Sequence, residues 1–226
     1  MKIADRGGHN PQSQGANGIV NEIIEDRKIL ASTNKWLKID NQEVTDVTPG
    51  NCVSAEDLKY GVDQAKLHKA DIFASIHLNA GGGKGTEVLY SLASTQGKEL
   101  ATRVSNSIAK LGFVNRGAKI DSRGLYELRR TPMPAIIIEC FFCDSKIDVE
   151  LYNKVGADKL GKAIAEGIVG HEIKEPVIEP KINYVLETQK FLNKLGITDY
   201  DNKKLIEDGF TGTRTRTALN KLVLKL

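Results

Sequence analysis

No stretch of the 226-residue chain approaches the roughly 18 consecutive apolar residues that a bilayer span needs, so no membrane-spanning helix is expected. The opening MKIADRGGHN has no apolar core of about 7–15 residues, and synthesis in the cytoplasm without an ordinary secretory signal is the expectation. Cysteine is scarce. Cys52, Cys140 and Cys143 form an odd set without framework spacing, which points to reduced thiols. Charge is nearly balanced, with 32 Lys and Arg against 29 Asp and Glu, and there is no dense basic run. Nucleic acid is therefore excluded as the main partner. Internal repeats and low-complexity tracts are absent.

What is there alternates between strands and helices. MKIAD reads as a short strand and RGGHNPQSQGANG as a Gly/Asn/Ser-rich loop. Ile19, Ile23, Ile24, Leu30 and Leu37 give a helical stripe over 19–37. EVTDV (43–47) is β-branched, and Pro49-Gly50 ends it. Ser54 is expected to cap the next helix, with Asp57 as a capping-box-like acid. DIFASIH (71–77) and TEVLYS (86–91) read as strands, with a helix at 95–111. RGLYEL (123–128) reads as a short strand in a Gly-rich turn region. PAIIIECF (134–141) is a continuous apolar run ending in a carboxylate, as in a central strand buried on both faces. A helix at 156–171 closes the unit. The alternation predicts an α/β fold with a mostly parallel sheet flanked by helices. EIKEPVIEPK changes the texture and reads as a linker. The boundaries follow as a catalytic domain over 1–172, a linker over 173–181 and a small all-α domain over 182–226.

In open α/β sheets the ligand crevice lies beyond the C-terminal strand ends. His9 follows the first strand, His77 ends the DIFASIH strand and Glu139 ends the last apolar run, while Glu22 lies in the first turn of the helix after the His9 loop. Each has a plain alternative. A strand-end histidine is often a satisfied core residue, the helix dipole alone favours Glu22, His9 suits a surface loop, and Glu139 has Arg129 and Arg130 as possible partners. Taken together they suggest a catalytic zinc set, with two imidazoles and a carboxylate as ligands and a fourth position for water. Zinc lowers that water's pKa to about 7 and polarises a carbonyl. Glu139, partly desolvated, then fits the general base.

Four blocks in this order are similar to a known family: Gly8-His9, GIVNE with Glu22, SIHLNA with His77 and Asn79, and RGLYELRRTPMPAIIIE ending at Glu139. Over residues 1–171 the chain resembles the zinc-dependent N-acetylmuramoyl-L-alanine amidases of the type 3 group, peptidoglycan hydrolases of autolysins and phage endolysins. The resemblance implies a twisted, mainly parallel sheet, zinc on His9, Glu22 and His77, Glu139 as catalytic acid/base, and Asn79 as a substrate contact. It implies hydrolysis of the amide between the lactyl group of N-acetylmuramic acid and L-alanine, with the enzyme acting on the wall after release. Arg6-Gly7 stand where many members have Asp-Pro, so the acidic group expected near His9 is missing there. Cys140-Phe141-Phe142 replace a Gly-Phe segment. The single C-x2-C at 140–143 is a weak metal signal, and His68 and His171 read as solvated. VLETQKFLNKLG followed by EDGFTGTRTRTAL resembles a small peptidoglycan-binding domain of the three-helix kind, without its usual final aromatic-Gln segment. Two other functions fit the same residues: a zinc peptidase cutting within the stem peptide, and a non-catalytic wall-binding protein.

Overall fold

The run AIIIECFF forms the strand that organises the first unit. In the computed structural model, which describes residues 1–175 and 182–224, it is an interior strand of a six-stranded sheet, third from one edge and fourth from the other. The strands are β1 (Lys2–Gly7), β2 (Glu43–Asp46), β3 (Ile72–Asn79), β4 (Thr86–Tyr90), β5 (Asn115–Ile120) and β6 (Ala135–Phe142), in the order β2-β1-β3-β6-β4-β5. All neighbours are parallel except β4 and β6. Ile136, Ile138 and Cys140 face one helical layer and Ala135 and Ile137 the other, all buried, which is why the run is apolar at every position but Glu139.

The thicker layer contains α1 (Glu22–Ile39), α3 (Thr95–Ala109) and α5 (Lys146–Val169). Ile29, Trp36, Leu100, Val104, Leu160 and Ile164 interlock there against the sheet. The opposite face is covered by α2 (Ser54–Leu67) and α4 (Tyr126–Arg130), through Ala65 and Leu128. Asn21 starts α1 by accepting from the Ile24 amide at 3.2 Å, and Glu22 and Glu25 complement the dipole in the first turn.

Several local expectations are corrected. Ile19 and Ile24 are 56% and 57% exposed, and the inward face of α1 instead carries Glu22, Asp26, Ile29, Thr33 and Trp36. Ser54 does not cap α2: Val53 holds that position without a side-chain bond. RGLYEL is not a strand: its first three residues lead into α4, which begins at Tyr126. The last helix starts ten residues earlier than the apolar pattern suggests, because Gly156 (φ 81°, ψ 156°) breaks it into two segments. NRGAKI, unassigned from sequence, is the edge strand β5. Ile173, expected as the start of a linker, is buried in the core of the first unit, its amide donating to Glu166 at 3.1 Å.

The chain divides into two units, Met1–Glu175 and Pro176–Leu226. Most of the linker expected at 173–181 lies outside the described residues. In the second unit the described residues form two helices, α6 (Tyr184–Lys194) and α7 (Thr213–Val223), around Leu192, Ile197, Leu205 and Ala218. Gln189 is buried beneath the turn between them. Its amide donates to Asp208 at 2.8 Å and Thr215 at 3.1 Å and accepts from the Gly209 amide at 2.9 Å. The Asp-Gly-x-x-Gly-x-x-Thr pattern is thus a turn folded over one glutamine. No helix among the described residues is long and apolar enough to cross a membrane.

Candidate active site

The parallel register β1-β3-β6 aligns three chain ends on one edge. Gly7 lies beside Ile76, and His77 lies beside Glu139. Past β1 the Gly8 amide donates to the Ile76 carbonyl at 2.7 Å, which holds the following residue against β3. His9 then takes a left-handed conformation (φ 57°) that a side chain rarely adopts. Arg27 from α1 secures it, donating to the Gly8 and His9 carbonyls at 2.9 and 2.6 Å. A Cβ at Gly8 would sit 2.1 Å from the His77 ring, and one at Gly15 would sit 2.2 Å from the Glu22 carboxylate. The two glycines let the backbone close around the site. Gly8→Ala is therefore expected to displace His77 and to weaken metal binding by at least about 10-fold, the scale of a disturbed ligand. Isothermal titration of the metal-free protein with zinc measures it.

His9, Glu22 and His77 offer ligand atoms that all lie within 4.8 Å of one another, and no other group of three such residues occurs among the described residues. Glu22 Oε1 is 3.1 Å from His77 Nδ1 and 3.7 Å from His9 Nε2. The same carboxylate accepts from the Leu78 amide at 3.0 Å and the Ala16 amide at 2.6 Å, which fixes its plane. The two imidazoles meet edge to face at 5.0 Å. Burial pushes the His9 imidazole below its ordinary pKa, with His77 adding to the effect. Burial would also lower His77, but its hydrogen bond to Glu22 and the charges of Glu139, Glu22 and Glu127 raise it to about 9. Burial alone would raise Glu22, yet the hydrogen bond and charge of His77, with the charge of His9, hold it below the ordinary carboxylate value. The two shifts favour a protonated His77 paired with an ionised Glu22.

Glu139 stands beside this cluster on β6. Its Oε2 is buried with no hydrogen-bond partner. Burial raises its pKa, His77 opposes, Glu22 and Glu87 raise it further, and Arg123 opposes. A cavity of about 240 Å³ opens here, walled by His9, His77, Glu139, Arg123 and Tyr126. Larger grooves of about 740 and 760 Å³ elsewhere hold no comparable donor cluster among the described residues. Asn79 ends β3 next to the site, its amide donating to Glu87 at 3.0 Å, and Glu87 in turn accepts from Arg116 at 2.6 Å. Cys140 and Cys143 are free and fully buried. His171 is exposed and paired with Asp40 at 2.8 Å.

Sequence reading missed Arg6, Asp57, Glu127 and Ser75, which form a buried polar chain behind His77. The only sequence signal was Arg6 itself, a long cation near the end of the strand KIADRG.

Three convergent donors beside an unpartnered buried carboxylate, at the C-terminal edge of a mainly parallel sheet, define an α/β protein suited to metal-assisted hydrolysis. The chain belongs to the N-acetylmuramoyl-L-alanine amidase family, whose profile matches residues 5–170. It is similar to an uncharacterised 38.4 kDa protein of Clostridium perfringens, 39% identical over 216 residues, covering 92% of this chain and 62% of that one. It thus spans less than two thirds of that relative's length. Among solved structures it resembles the catalytic domain of an endolysin targeting Clostridia difficile, with a TM-score of 0.70 and 31% identity over 77% of this chain and 99% of that one. It also resembles the catalytic domain of CwlV, an N-acetylmuramoyl-L-alanine amidase from Bacillus (Paenibacillus) polymyxa, with a TM-score of 0.66 and 26% identity over 75% of this chain and 97% of that one.

Proposed function

We propose that the protein hydrolyses peptidoglycan at the amide between the lactyl group of N-acetylmuramic acid and L-alanine of the stem peptide. The observation that carries this reading is the unpartnered Glu139 carboxylate set next to the His9, Glu22 and His77 donors. We assign those three residues to zinc. Tetrahedral zinc with bonds of about 2.0–2.1 Å separates its ligand atoms by roughly 3.3 Å, and the 3.1 and 3.7 Å separations around Glu22 Oε1 bracket that value. Bound there, zinc supplies a Lewis acid for the carbonyl and lowers the pKa of water.

The chain's own groups do the rest. Glu139 takes a proton from the attacking water as its oxygen bonds to the lactyl carbonyl carbon. The C–N bond breaks, and Glu139 returns the proton to the departing alanine nitrogen. Partial exposure of His9 leaves an approach for substrate, burial of Glu22 keeps competing water from its carboxylate, and Glu139, half-buried, faces the cavity. We assign Asn79 to the substrate-facing rim, where it also holds Glu87.

Mass spectrometry of purified walls after digestion tests the reaction. The expected product is a stem peptide with a free L-alanine N-terminus and an intact muramic acid, and a chelator should abolish its formation. Cleavage between two amino acids would overturn the reading in favour of a peptidase, and binding without cleavage would leave only a wall-binding protein.

We assign wall attachment to the second unit, whose excess of Lys and Arg over Asp and Glu suits an anionic polymer. Residues 1–175 alone are expected to retain turnover on soluble muropeptides within about 3-fold, since all four site residues lie there, while co-sedimentation with insoluble walls should weaken. Equal sedimentation of the truncated and full chains would remove the binding role.

A further inference from the structure

Behind His77 runs a polar chain that the reaction above does not use. Ser75 and His77 are two residues apart on β3 and share a face. Ser75 Oγ lies 3.0 Å from His77 Nε2 and 3.4 Å from Glu127 Oε1. Glu127 Oε1 also faces Arg6 Nη1 at 3.1 Å. Arg6 bonds onward to the Asp57 carboxylate, and Asp57 accepts from Asn10. Ser75 is fully enclosed, and Arg6, Asp57 and Glu127 are each no more than 2% exposed. One guanidinium faces two carboxylates. Apolar residues of similar volume serve stability as well as such a buried ion cluster, so the cluster needs another reason to be there.

Hydrogen-bond bookkeeping supplies one. An ionised carboxylate only accepts, so the single Ser75 hydroxyl proton is committed to Glu127. What Ser75 then offers His77 is a lone pair, which requires a proton on His77 Nε2. The Nδ1 lone pair is left pointing at the space shared with Glu22 and His9. We propose that Glu127, acting through Ser75 and held by Arg6, is the positioning residue that fixes the tautomer and ring orientation of His77, so that His77 holds its metal ion through Nδ1. This rests on the assignment of His77 as a ligand. Arg6 has a further consequence. It binds the same oxygen of Glu127 that Ser75 uses, so an amide at position 127 would be held with its oxygen, not its nitrogen, toward Ser75.

The test uses the full chain, titrated with zinc against a chromophoric chelator, and the imidazole ¹⁵N spectrum of the zinc-loaded protein. Wild type should show a protonated Nε2 and a coordinated Nδ1 on His77. Ser75→Ala and Glu127→Leu should each weaken zinc binding by about 10–100-fold, the cost of losing an outer hydrogen bond on a metal-ligating histidine. Glu127→Gln keeps the acceptor and should bind zinc within about 3-fold of wild type, separating the relay from a simple charge effect. If Glu127→Leu fails to fold, Ser75→Ala, which leaves the ion cluster intact, decides alongside the spectrum. A proton on Nδ1 with zinc on Nε2, or undiminished zinc affinity in Ser75→Ala, would overturn the positioning role while leaving His77 a ligand. Wild type that binds no zinc at all would overturn the ligand assignment and this role with it.

Discussion

Glu139→Gln is expected to lose turnover by on the order of 10²–10⁴-fold while its zinc content stays at the wild-type level. The substitution keeps the side-chain volume and removes the titrating group. Glu139 lies beside the donor cluster and is not one of its three members, so the metal site survives the change. No other carboxylate replaces it: Glu22 is committed to His77 and two backbone amides, and Glu87 to Asn79 and Arg116. The pH dependence follows from the same burial. Only the ionised carboxylate accepts a proton, so the rate falls as pH drops through its pKa, and burial places that limb above the ordinary carboxylate range. The limb reports Glu139 and the activated water as a coupled pair, and the full profile should be bell-shaped. Elemental analysis beside steady-state rates checks the prediction. An inactive Glu139→Gln that has also lost its zinc would make Glu139 a ligand.

His77→Ala and His9→Ala should lose metal and activity together. Removing one of three donors leaves two, and the drop in zinc affinity should exceed the roughly 100-fold upper range for an outer partner. His77→Ala carries a second penalty. The His77 charge lowers the pKa of both Glu22 and Glu139, and without it the repulsion between the two carboxylates favours protonating one of them. Glu22→Gln differs in kind: a neutral oxygen remains at the same place, so excess zinc should partly restore turnover. Wild-type zinc content in either histidine variant would remove that residue from the ligand set.

The legible parts of this molecule were those where burial and chain order speak together. DIFASIH and PAIIIECF advertise buried strands by their mostly apolar residues, and His77 and Glu139, which end those apolar stretches, lie side by side in the sheet. The edge strand β5, NRGAKI, is largely exposed and carries no such run, so nothing in its composition marks it. The reversed direction of β4 depends on connections, not on the residues of TEVLY. In α1 the site inverts the usual pattern. Glu22 and Asp26 point inward because one serves the donor cluster and the other pairs with Arg27, and Ile24 is left outside. Arg6 reads as the loss of an acidic neighbour, but the acids arrive from Asp57 and Glu127, 51 residues away in one case, and no local pattern carries such a pairing.

The strand order also sets a timetable. β6 lies between β3 and β4, yet it is the last strand to leave the ribosome. Until it is made, β2-β1-β3 and β4-β5 have no common neighbour, and Glu139, proposed as the general base, is absent. Contacts between residues this far apart in the chain form slowly, after much loop closure. A chain interrupted before residue 135 would therefore have no strand to join β2-β1-β3 to β4-β5. Unfinished products would lack Glu139, the residue proposed as the proton acceptor, together with the strand that joins the two halves of the sheet.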